Sequence, residues 1–346
     1  MNLDKYGLPT DVLYEAGSIP ARITAVHRER YELVCERGQA VGKLKSSTYF
    51  ADTLEDFPTT GDFVLVNYKP SGESQIVRTL PRKSFFSRRD PDKGRGEQVI
   101  AANFDYVFIM QSLNQDFNPK RLERYVTLAW QSGAIPVVIL TKADLVDDCA
   151  EQLEAVEGVA FGVDIHVVSA VAGTGLDAIT AYLQPGKTAV FLGSSGVGKS
   201  SLVNALAGQE IMAVAEIRED DAKGRHTTTH RQLIMLDNGA MIIDTPGLRE
   251  LGMWDVSSGL GEAFLDVERY FADCRFSDCQ HRTEPGCAVK AALETGELSS
   301  ERWKSYLHLK REAKFTDDKA AYFKTQQQLA KERARWSKLR KKNDVL

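Results

Sequence analysis

At residues 193–200 the chain reads Gly193-Ser194-Ser195-Gly196-Val197-Gly198-Lys199-Ser200, which fits the pattern GxxxxGK followed by Ser or Thr at every fixed position. An apolar run at residues 188–192 predicts a buried strand before it, and apolar residues at helical spacing between 202 and 206 predict a helix after it. A glycine-rich turn in this setting directs backbone N–H groups and the positive end of a helix dipole toward one place, where they bind phosphate oxygens. The stretch therefore predicts a phosphate loop inside an α/β domain.

The last residues of this loop indicate a nucleoside triphosphate with a divalent cation. The ammonium group of Lys199 is expected to reach the outer phosphates, and the hydroxyl of Ser200 is expected to bind Mg2+. The predicted nucleotide-binding segment includes the next residue, Ser201.

Two motifs that follow predicted strands indicate the base. Thr141-Lys142-Ala143-Asp144 follows a strand predicted over residues 135–140, and Ser169-Ala170 follows a strand predicted over residues 164–168. They resemble the guanine-recognition motifs Asn/Thr-Lys-x-Asp and Ser-Ala of GTPases. Their position after two strands of an alternating strand–helix region, next to a phosphate loop, favours a parallel sheet that binds a guanine nucleotide.

The residue types in these motifs suit guanine. A buried carboxylate at Asp144 accepts from both the ring N–H and the exocyclic amine of guanine, a donor pair that adenine lacks. The aliphatic stem of Lys142 can lie across the base, and the backbone N–H of Ala170 can donate to the guanine carbonyl. Thr141 stands where many GTPases have Asn, which is expected to weaken base binding without changing its specificity.

Two later segments are predicted to respond to the γ-phosphate. In the polar stretch Lys223-Gly224-Arg225-His226-Thr227-Thr228-Thr229, Thr228 is expected to complete the Mg2+ shell. In Asp244-Thr245-Pro246-Gly247, which follows a predicted hairpin, Asp244 is expected to reach Mg2+ through water and the N–H of Gly247 to sense the γ-phosphate. This hairpin and the motif after it complete the predicted site.

The residue after Gly247 is Leu248, where Ras-like enzymes place the glutamine that orients the attacking water. His226 is the nearby residue of suitable chemistry, because a histidine with an ordinary pKa is mostly neutral at pH 7. A second interpretation stays open, in which His226 only shapes the loop or contacts a partner.

The order of these motifs is unusual. The base motifs precede the phosphate loop, whereas ordinary GTPases begin with the phosphate loop. This order predicts a circularly permuted domain, which is tolerated when the chain ends of a domain lie close together.

The N-terminal region predicts a small barrel of the oligonucleotide-binding type, because five short β-rich runs fall within about sixty residues. Such a barrel either binds single-stranded nucleic acid or only packs against a neighbouring unit. The basic, aromatic and glycine-containing stretch at residues 82–96 that follows is either a phosphate-backbone contact or an interdomain linker. The predicted strands cover residues 21–26, 31–35, 40–44, 63–66 and 75–77.

The C-terminal region predicts a metal centre. Cys274, Cys279, His281 and Cys287 offer three thiolates and an imidazole, a set typical of structural zinc, and Cys35 and Cys149 are expected to be plain thiols. Helix is predicted beyond them, and the tail at residues 331–342 is strongly basic, which suits either RNA phosphates or a solvated helix.

The composition supports a cytoplasmic globular protein. Apolar residues make up 43% of the chain, and the formal net charge of -4 argues against a protein coated all over by nucleic acid. No apolar run approaches the roughly 20 residues that cross a bilayer, and the N-terminus lacks the order of a signal peptide.

Together these features resemble the RsgA (YjeQ) family, the circularly permuted GTPases that act on the bacterial small ribosomal subunit. The resemblance covers nearly the whole chain. It implies an N-terminal oligonucleotide-binding-type barrel, a C-terminal zinc domain, binding near the decoding region of the 30S particle, and ribosome-stimulated hydrolysis of GTP to GDP and phosphate during late assembly. In such enzymes the histidine that matches His226 has been proposed as catalytic.

We therefore expect a multi-domain chain with an OB-type β-barrel in residues 1–88, a circularly permuted P-loop α/β GTPase domain in 89–255 and a zinc-binding, mostly helical domain with a basic tail in 256–346. The expected partners are GTP, GDP, the 30S subunit and its 16S rRNA, with no membrane, and the protein is expected to be a monomer. The alternative is a nucleotide-gated RNA-binding protein that acts on a non-ribosomal RNA. A third interpretation, an ATP-driven enzyme, requires ATP to compete with GTP at Asp144.

Overall fold

The computed structural model of the protein describes residues 2–8, 17–27, 30–45, 57–89, 97–212, 231–244 and 259–311. The predicted architecture is confirmed in these residues: a closed barrel, an α/β unit and a C-terminal helical region. In this part of the chain, no helix combines the length and the apolar character that a membrane crossing needs.

The five predicted strands of the barrel are present. β1 pairs with both β2 and β4 and so closes the barrel, and β3 and β5 are its one parallel pair. Alternate side chains such as Ile23, Leu33 and Ile76 fill the interior and are fully buried. The strands are β1 (Ile19–His27), β2 (Arg30–Cys35), β3 (Gly38–Leu44), β4 (Phe63–Asn67) and β5 (Glu73–Thr79).

The basic stretch after the barrel contributes a strand, which the sequence did not predict. β6 (Phe85–Arg89) pairs antiparallel with β7 (Glu97–Ala102). Phe86 is buried and stacks on Phe104 at a centroid distance of 5.0 Å, whereas Phe85 is exposed.

Two basic residues of this stretch form internal ion pairs. Arg82 binds the buried carboxylate of Asp62 at 2.8 Å, and Lys83 binds Asp105 at 2.8 Å. Because their charges are directed at carboxylates within the fold, these two side chains serve the junction between the barrel and the α/β unit.

Six strands continue the sheet into the α/β unit in the order β10-β9-β8-β11-β13-β12. All pair in parallel except β12, so the carboxyl ends of the parallel strands meet at one edge. Ligands in open α/β sheets bind outside this edge. The strands are β8 (Tyr106–Ser112), β9 (Ile135–Thr141), β10 (Asp164–Val167), β11 (Thr188–Gly193), β12 (Gln232–Met235) and β13 (Met241–Asp244).

Four helices accompany these strands: α1 (Pro119–Gln131), α2 (Ala150–Glu157), α3 (Leu176–Thr180) and α4 (Lys199–Ala207). The pair Asn118-Pro119 is typical of a helix cap followed by the first helical residue, and this cap is present: the Asn118 side chain accepts from the backbone N–H of Arg121 at 3.1 Å. The spacing of Leu176, Ile179 and Leu183 predicts one helix through all three residues, but α3 ends at Thr180 and Leu183 is buried in the turn that follows it.

A buried arginine joins the barrel to the α/β unit. Arg22 on β1 is 1% exposed and donates to the Asn103 carbonyl at 2.9 Å and to the hydroxyl of Thr188 on β11 at 3.0 Å. Its guanidinium also contacts the sulfur of Met241 on β13 at 3.3 Å. β1 further pairs with β12, so strands on both sides of this joint belong to one eleven-stranded sheet.

A second buried arginine joins the C-terminal region to α1. Arg302 is 6% exposed, binds Glu123 of α1 at 2.5 Å and Asp266 at 2.9 Å, and stacks on Phe264 at 4.0 Å. The region comprises α5 (Leu260–Ala263), α6 (Leu265–Glu268), α7 (Ala288–Thr295) and a helical stretch at 300–311.

Candidate functional site

The phosphate-loop sequence forms the predicted turn between a strand and a helix. β11 ends at Gly193, and α4 begins at Lys199 after Gly198. Gly196 and Gly198 have φ values of 70° and 102°, a backbone conformation that residues with a side chain rarely adopt. These two glycines are therefore required by the shape of the loop.

The loop lysine lies beside the carboxylate that ends β13. The Nζ atom of Lys199 is 2.5 Å from Oδ1 of Asp244, whose side chain is 4% exposed. β11 and β13 are parallel neighbours, so both residues lie at the carboxyl edge of the sheet. The structure thus brings together two of the predicted site residues that are 45 positions apart in the chain.

Thr141 connects the base motif to the phosphate loop. Its hydroxyl donates to the carbonyl of Val197 at 2.6 Å and lies 3.3 Å from the carbonyl of Gln111. The side chain is buried, so these bonds are shielded from water. The predicted base and phosphate motifs are therefore adjacent, although the permuted order separates them by about fifty residues.

The two base motifs also contact each other. The hydroxyl of Ser169 donates to Oδ1 of Asp144 at 2.5 Å, and the N–H of Ala143 donates to the carbonyl of Val168 at 3.2 Å. Lys142 has a φ of 61°, which turns the chain sharply at the end of β9. Asp144 is exposed instead of buried, so its second carboxylate oxygen is accessible to a base.

The predicted metal ligands form a compact cluster. The ligand atoms of Cys274, Cys279, His281 and Cys287 lie within 4.8 Å of one another. Nδ1 of His281 is 3.6 Å from the sulfur of Cys274 and 3.5 Å from that of Cys287. With metal–sulfur and metal–nitrogen bonds of about 2.3 and 2.0 Å, tetrahedral geometry puts such atoms about 3.5 Å apart. The cluster therefore has the dimensions of a tetrahedral metal site.

The pKa shifts of His281 and Cys274 favour the protonation states that bind a metal, whereas that of Cys279 opposes it. Burial lowers the pKa of His281, with a further contribution from Lys310, so the imidazole is neutral at pH 7. Burial acts to raise the pKa of Cys274, but hydrogen bonds from the backbone N–H groups of Ala288 and Val289 and from the thiols of Cys279 and Cys287 together outweigh it and lower the pKa. Burial raises the pKa of Cys279 to about 11. Metal binding therefore has to displace the proton of Cys279.

An acidic side chain holds the loop that carries His281. The carboxylate of Glu284 accepts from the backbone N–H groups of Gln280 at 3.0 Å, Arg282 at 2.8 Å and Thr283 at 2.9 Å. A hydrogen bond from the backbone N–H of Glu284 itself, together with these bonds, lowers the pKa of its carboxyl to about 2. His281 itself has a φ of 59° and stacks on Phe271 at a centroid distance of 4.4 Å. Both features fix the imidazole before any metal is bound.

Three predicted site residues, His226, Thr228 and Gly247, lie outside the described residues, as does the basic tail at 331–342. Sequence reasoning also missed residues that contact the predicted site. Asp116, in the connection between β8 and α1, accepts a hydrogen bond from Ser194 of the phosphate loop. Asp116 belongs to no recognised sequence motif, and only the three-dimensional fold brings its side chain to the phosphate loop.

Comparison with known proteins agrees with this geometry. The sequence model described as RsgA GTPase matches residues 79–254. A "Small ribosomal subunit biogenesis GTPase RsgA 1" from Listeria innocua is 46% identical over 99% of this chain and 96% of that protein. A "Small ribosomal subunit biogenesis GTPase RsgA" from Streptomyces avermitilis is 45% identical over 86% of this chain and 80% of that protein.

A solved structure shares the fold. The crystal structure of YjeQ from Thermotoga maritima matches with a TM-score of 0.64 and 25% identity, over 86% of this chain and 98% of that one. The architecture and the motifs define a circularly permuted GTPase, an enzyme that hydrolyses GTP. The chain belongs to the RsgA GTPase family.

Proposed function

We propose that this GTPase acts in the late maturation of the small ribosomal subunit and that its nucleotide lies along the carboxyl edge of the α/β sheet. The observation that supports this placement most strongly is the 2.6 Å bond from Thr141 to the Val197 carbonyl, because it joins the base motif to the phosphate loop. One guanine nucleotide can then contact both motifs.

In this proposal each motif has one task. Asp144 selects the base and Lys142 covers it. Thr141, Ser169 and Ala170 complete the base site. Lys199 binds the outer phosphates. The loop residues wrap the phosphate chain with backbone N–H groups. These are Gly193, Ser194, Ser195, Gly196, Val197, Gly198, Ser200 and Ser201. We retain Thr228, Gly247 and His226 as proposed γ-phosphate and water-positioning residues.

Mg2+ accompanies the nucleotide in GTPases of this kind, and the donors here suit it. Ser200 offers a hydroxyl in the first turn of α4, and Asp244 offers a carboxylate at the end of β13. Both are hard oxygen donors, the type that Mg2+ prefers. Asp244 pairs with Lys199 at 2.5 Å. With a nucleotide bound, Asp244 would reach the cation through water and Lys199 would bind the outer phosphates.

We propose zinc as the ion of the Cys3His cluster, since three thiolates and a neutral imidazole at tetrahedral distances form a closed set for this metal. The ion would have a structural role, because all four positions are filled by protein ligands. It would fix residues 274–287 against the helical stretch at 300–311, where Trp303 lies beside the imidazole of His281.

The ribosomal role is supported by the names of relatives such as the one from Listeria innocua, which covers nearly the whole chain. In this proposal the partners are the 30S subunit and its 16S rRNA, and the protein is a cytoplasmic monomer. Each of the three units has its own role. The first and last bind RNA, and the central one hydrolyses GTP; they span 1–88, 256–346 and 89–255, respectively. Hydrolysis then loosens the hold on the particle.

The test is GTP hydrolysis with and without purified 30S particles at several salt concentrations. We expect strong stimulation by the particle that falls as salt rises, because phosphate contacts release counterions. Equal stimulation by an unrelated structured RNA would favour the alternative, a nucleotide-gated protein that acts on a non-ribosomal RNA. The absence of stimulation by any RNA at low salt would contradict the ribosomal role.

A further inference from the structure

A carboxylate lies beside the phosphate loop without belonging to any of its motifs. The hydroxyl of Ser194, the second residue of the loop, donates to Oδ2 of Asp116. Arg121 binds the same carboxylate with both terminal nitrogens, at 2.9 Å and 3.1 Å. The three side chains thus form a short chain of bonds from α1 to the start of the loop.

This arrangement needs a reason, because a negative charge next to an anion-binding loop opposes phosphate. The guanidinium of Arg121 neutralises the carboxylate through a bidentate pair, the geometry that an arginine forms best. The hydroxyl of Ser194 then has a strong acceptor, and its position is fixed. Gly193 is already confined, since a Cβ there would lie 2.9 Å from the Met110 carbonyl. The first two residues of the loop are therefore held, Gly193 by β8 and Ser194 by Asp116, whereas Ser195 and Gly196 are exposed.

α1 is also bound to the C-terminal region. Glu123, two residues after Arg121, is 4% exposed and binds Arg302 at 2.5 Å. Arg302 donates in turn to the carbonyls of Ala263 at 2.6 Å and Val159 at 3.3 Å. A buried ion pair of this kind is costly to break, because the remaining charge loses its partner.

The same helix makes a close backbone contact with α5. A Cβ on Gly259, just before α5, would lie 2.4 Å from the Thr127 carbonyl of α1. α1 therefore packs against the C-terminal region, and Arg121 near its beginning is linked to the phosphate loop through Asp116. A shift of the C-terminal region relative to the sheet has to move α1, and α1 cannot move without pulling on Asp116 and Ser194.

From this geometry we infer that Asp116 and Arg121 are positioning residues of the nucleotide site. They fix the position of the phosphate loop. That position depends on how the C-terminal region packs against α1 through Glu123 and Arg302. This inference rests on the proposed nucleotide site. It adds a route by which binding of a partner to the C-terminal region changes the rate of nucleotide release.

The test is the dissociation rate of mant-GDP, followed by stopped-flow fluorescence on the full-length protein. We expect Asp116→Asn and Ser194→Ala each to speed release about 3- to 10-fold, the loss expected for one hydrogen bond at a partly exposed carboxylate. The double variant should be no faster than the faster single one, because both changes act on the same bond between Ser194 and residue 116. Asp177→Asn, an exposed carboxylate on α3, is the matched control and should leave the rate unchanged.

The distant anchor is tested by Arg302→Lys, which keeps the charge but loses the bidentate contact with Asp266. We expect release to be about 3-fold faster in this variant and no faster still when it is combined with Asp116→Asn. Arg311→Lys, at an exposed position at the other end of the same helical stretch, is its control. If Arg302→Lys fails to fold, Glu123→Gln takes its place, because it keeps the side-chain volume.

Two results would overturn the inference. One is a folded Arg302→Lys or Glu123→Gln protein with the mant-GDP release rate of the wild type, and the other is additive effects of Asp116→Asn and Arg302→Lys. Failure of the wild type to bind mant-GDP would instead contradict the nucleotide site itself, so the two failures are distinguishable.

Discussion

Replacing Arg22 by Met tests whether one buried cation fixes the barrel to the strands of the nucleotide site. Among the residues that the structure describes, Arg22 pairs with no carboxylate; its four oxygen acceptors there are the carbonyls of Tyr6, Gly61 and Asn103 and the hydroxyl of Thr188. Burial lowers its pKa to about 10, yet the group remains charged at pH 7. In the wild-type protein these hydrogen bonds therefore offset the cost of burying a charged guanidinium.

The expected loss follows from these contacts. Four lost hydrogen bonds at about 1 kcal/mol each amount to roughly 4 kcal/mol. The Met side chain recovers part of this, on the order of 1–2 kcal/mol, because it has no charge to desolvate. We therefore expect Arg22→Met to lower the free energy of unfolding by about 2–3 kcal/mol.

The assay is urea unfolding at pH 7, with Arg30→Met as the control. Arg30 lies on β2 of the same barrel, is 67% exposed on its side chain and pairs with Glu73 at 2.9 Å, so its loss should cost less than about 0.5 kcal/mol. A loss at Arg22 no larger than that at Arg30 would refute the role of Arg22 as the joint between the barrel and the α/β unit.

Three further predictions concern single side chains. Burial acts to raise the pKa of Asp105, but bonds from Lys83, Thr188 N–H and Lys187 outweigh it and lower the pKa below its ordinary 3.8. The carboxylate therefore stabilises the fold at pH values above 3.8 and loses this effect as the pH falls through the folded pKa. In urea unfolding, Asp105→Asn should cost about 1–3 kcal/mol at pH 7, and this cost should shrink as the pH is lowered below 3.8. Glu284→Gln should weaken zinc binding about tenfold in competition with a chromophoric chelator, whereas the exposed Glu294→Gln should not; equal affinities would contradict the positioning of His281 by Glu284. His226→Ala should leave mant-GDP affinity within about twofold and abolish particle-stimulated turnover, and undiminished turnover would remove this histidine from the mechanism.

The parts of the fold that sequence predicted well are those encoded by neighbouring residues. The strand before Gly193, the helix that ends before Gly208 and the cap at Asn118 are each written within a few positions of the chain. The barrel strands were also predictable, because their alternating apolar residues lie between turn residues. The pattern of local residues is sufficient for such elements.

The missed strand has a physical reason. β6 covers Phe85–Arg89, where serine and arginine interrupt the apolar alternation, and it forms because β7 supplies its partner. Propensity does not reveal a strand whose stability comes from a pairing partner further along the chain.

The joints between units could not be predicted at all. Arg22 meets Thr188 and Met241, and Arg302 meets Glu123, across separations of well over a hundred residues. A single arginine in a sequence is by default a surface residue. From the sequence, Thr141 in place of Asn is expected only to weaken base binding. The structure gives this residue a further role, because its hydroxyl binds the Val197 carbonyl and so joins the base motif to the phosphate loop.

The central claim is that Asp144 selects guanine for a pocket shared with the phosphate loop, and one substitution tests it directly. Asp144→Asn exchanges a carboxylate acceptor for an amide donor, which suits the 2-oxo group of xanthine instead of the 2-amino group of guanine. Two lost bonds to a charged group predict at least about a 100-fold loss of GTP affinity, with xanthosine triphosphate bound in preference. A variant that still prefers GTP over xanthosine triphosphate would contradict the account.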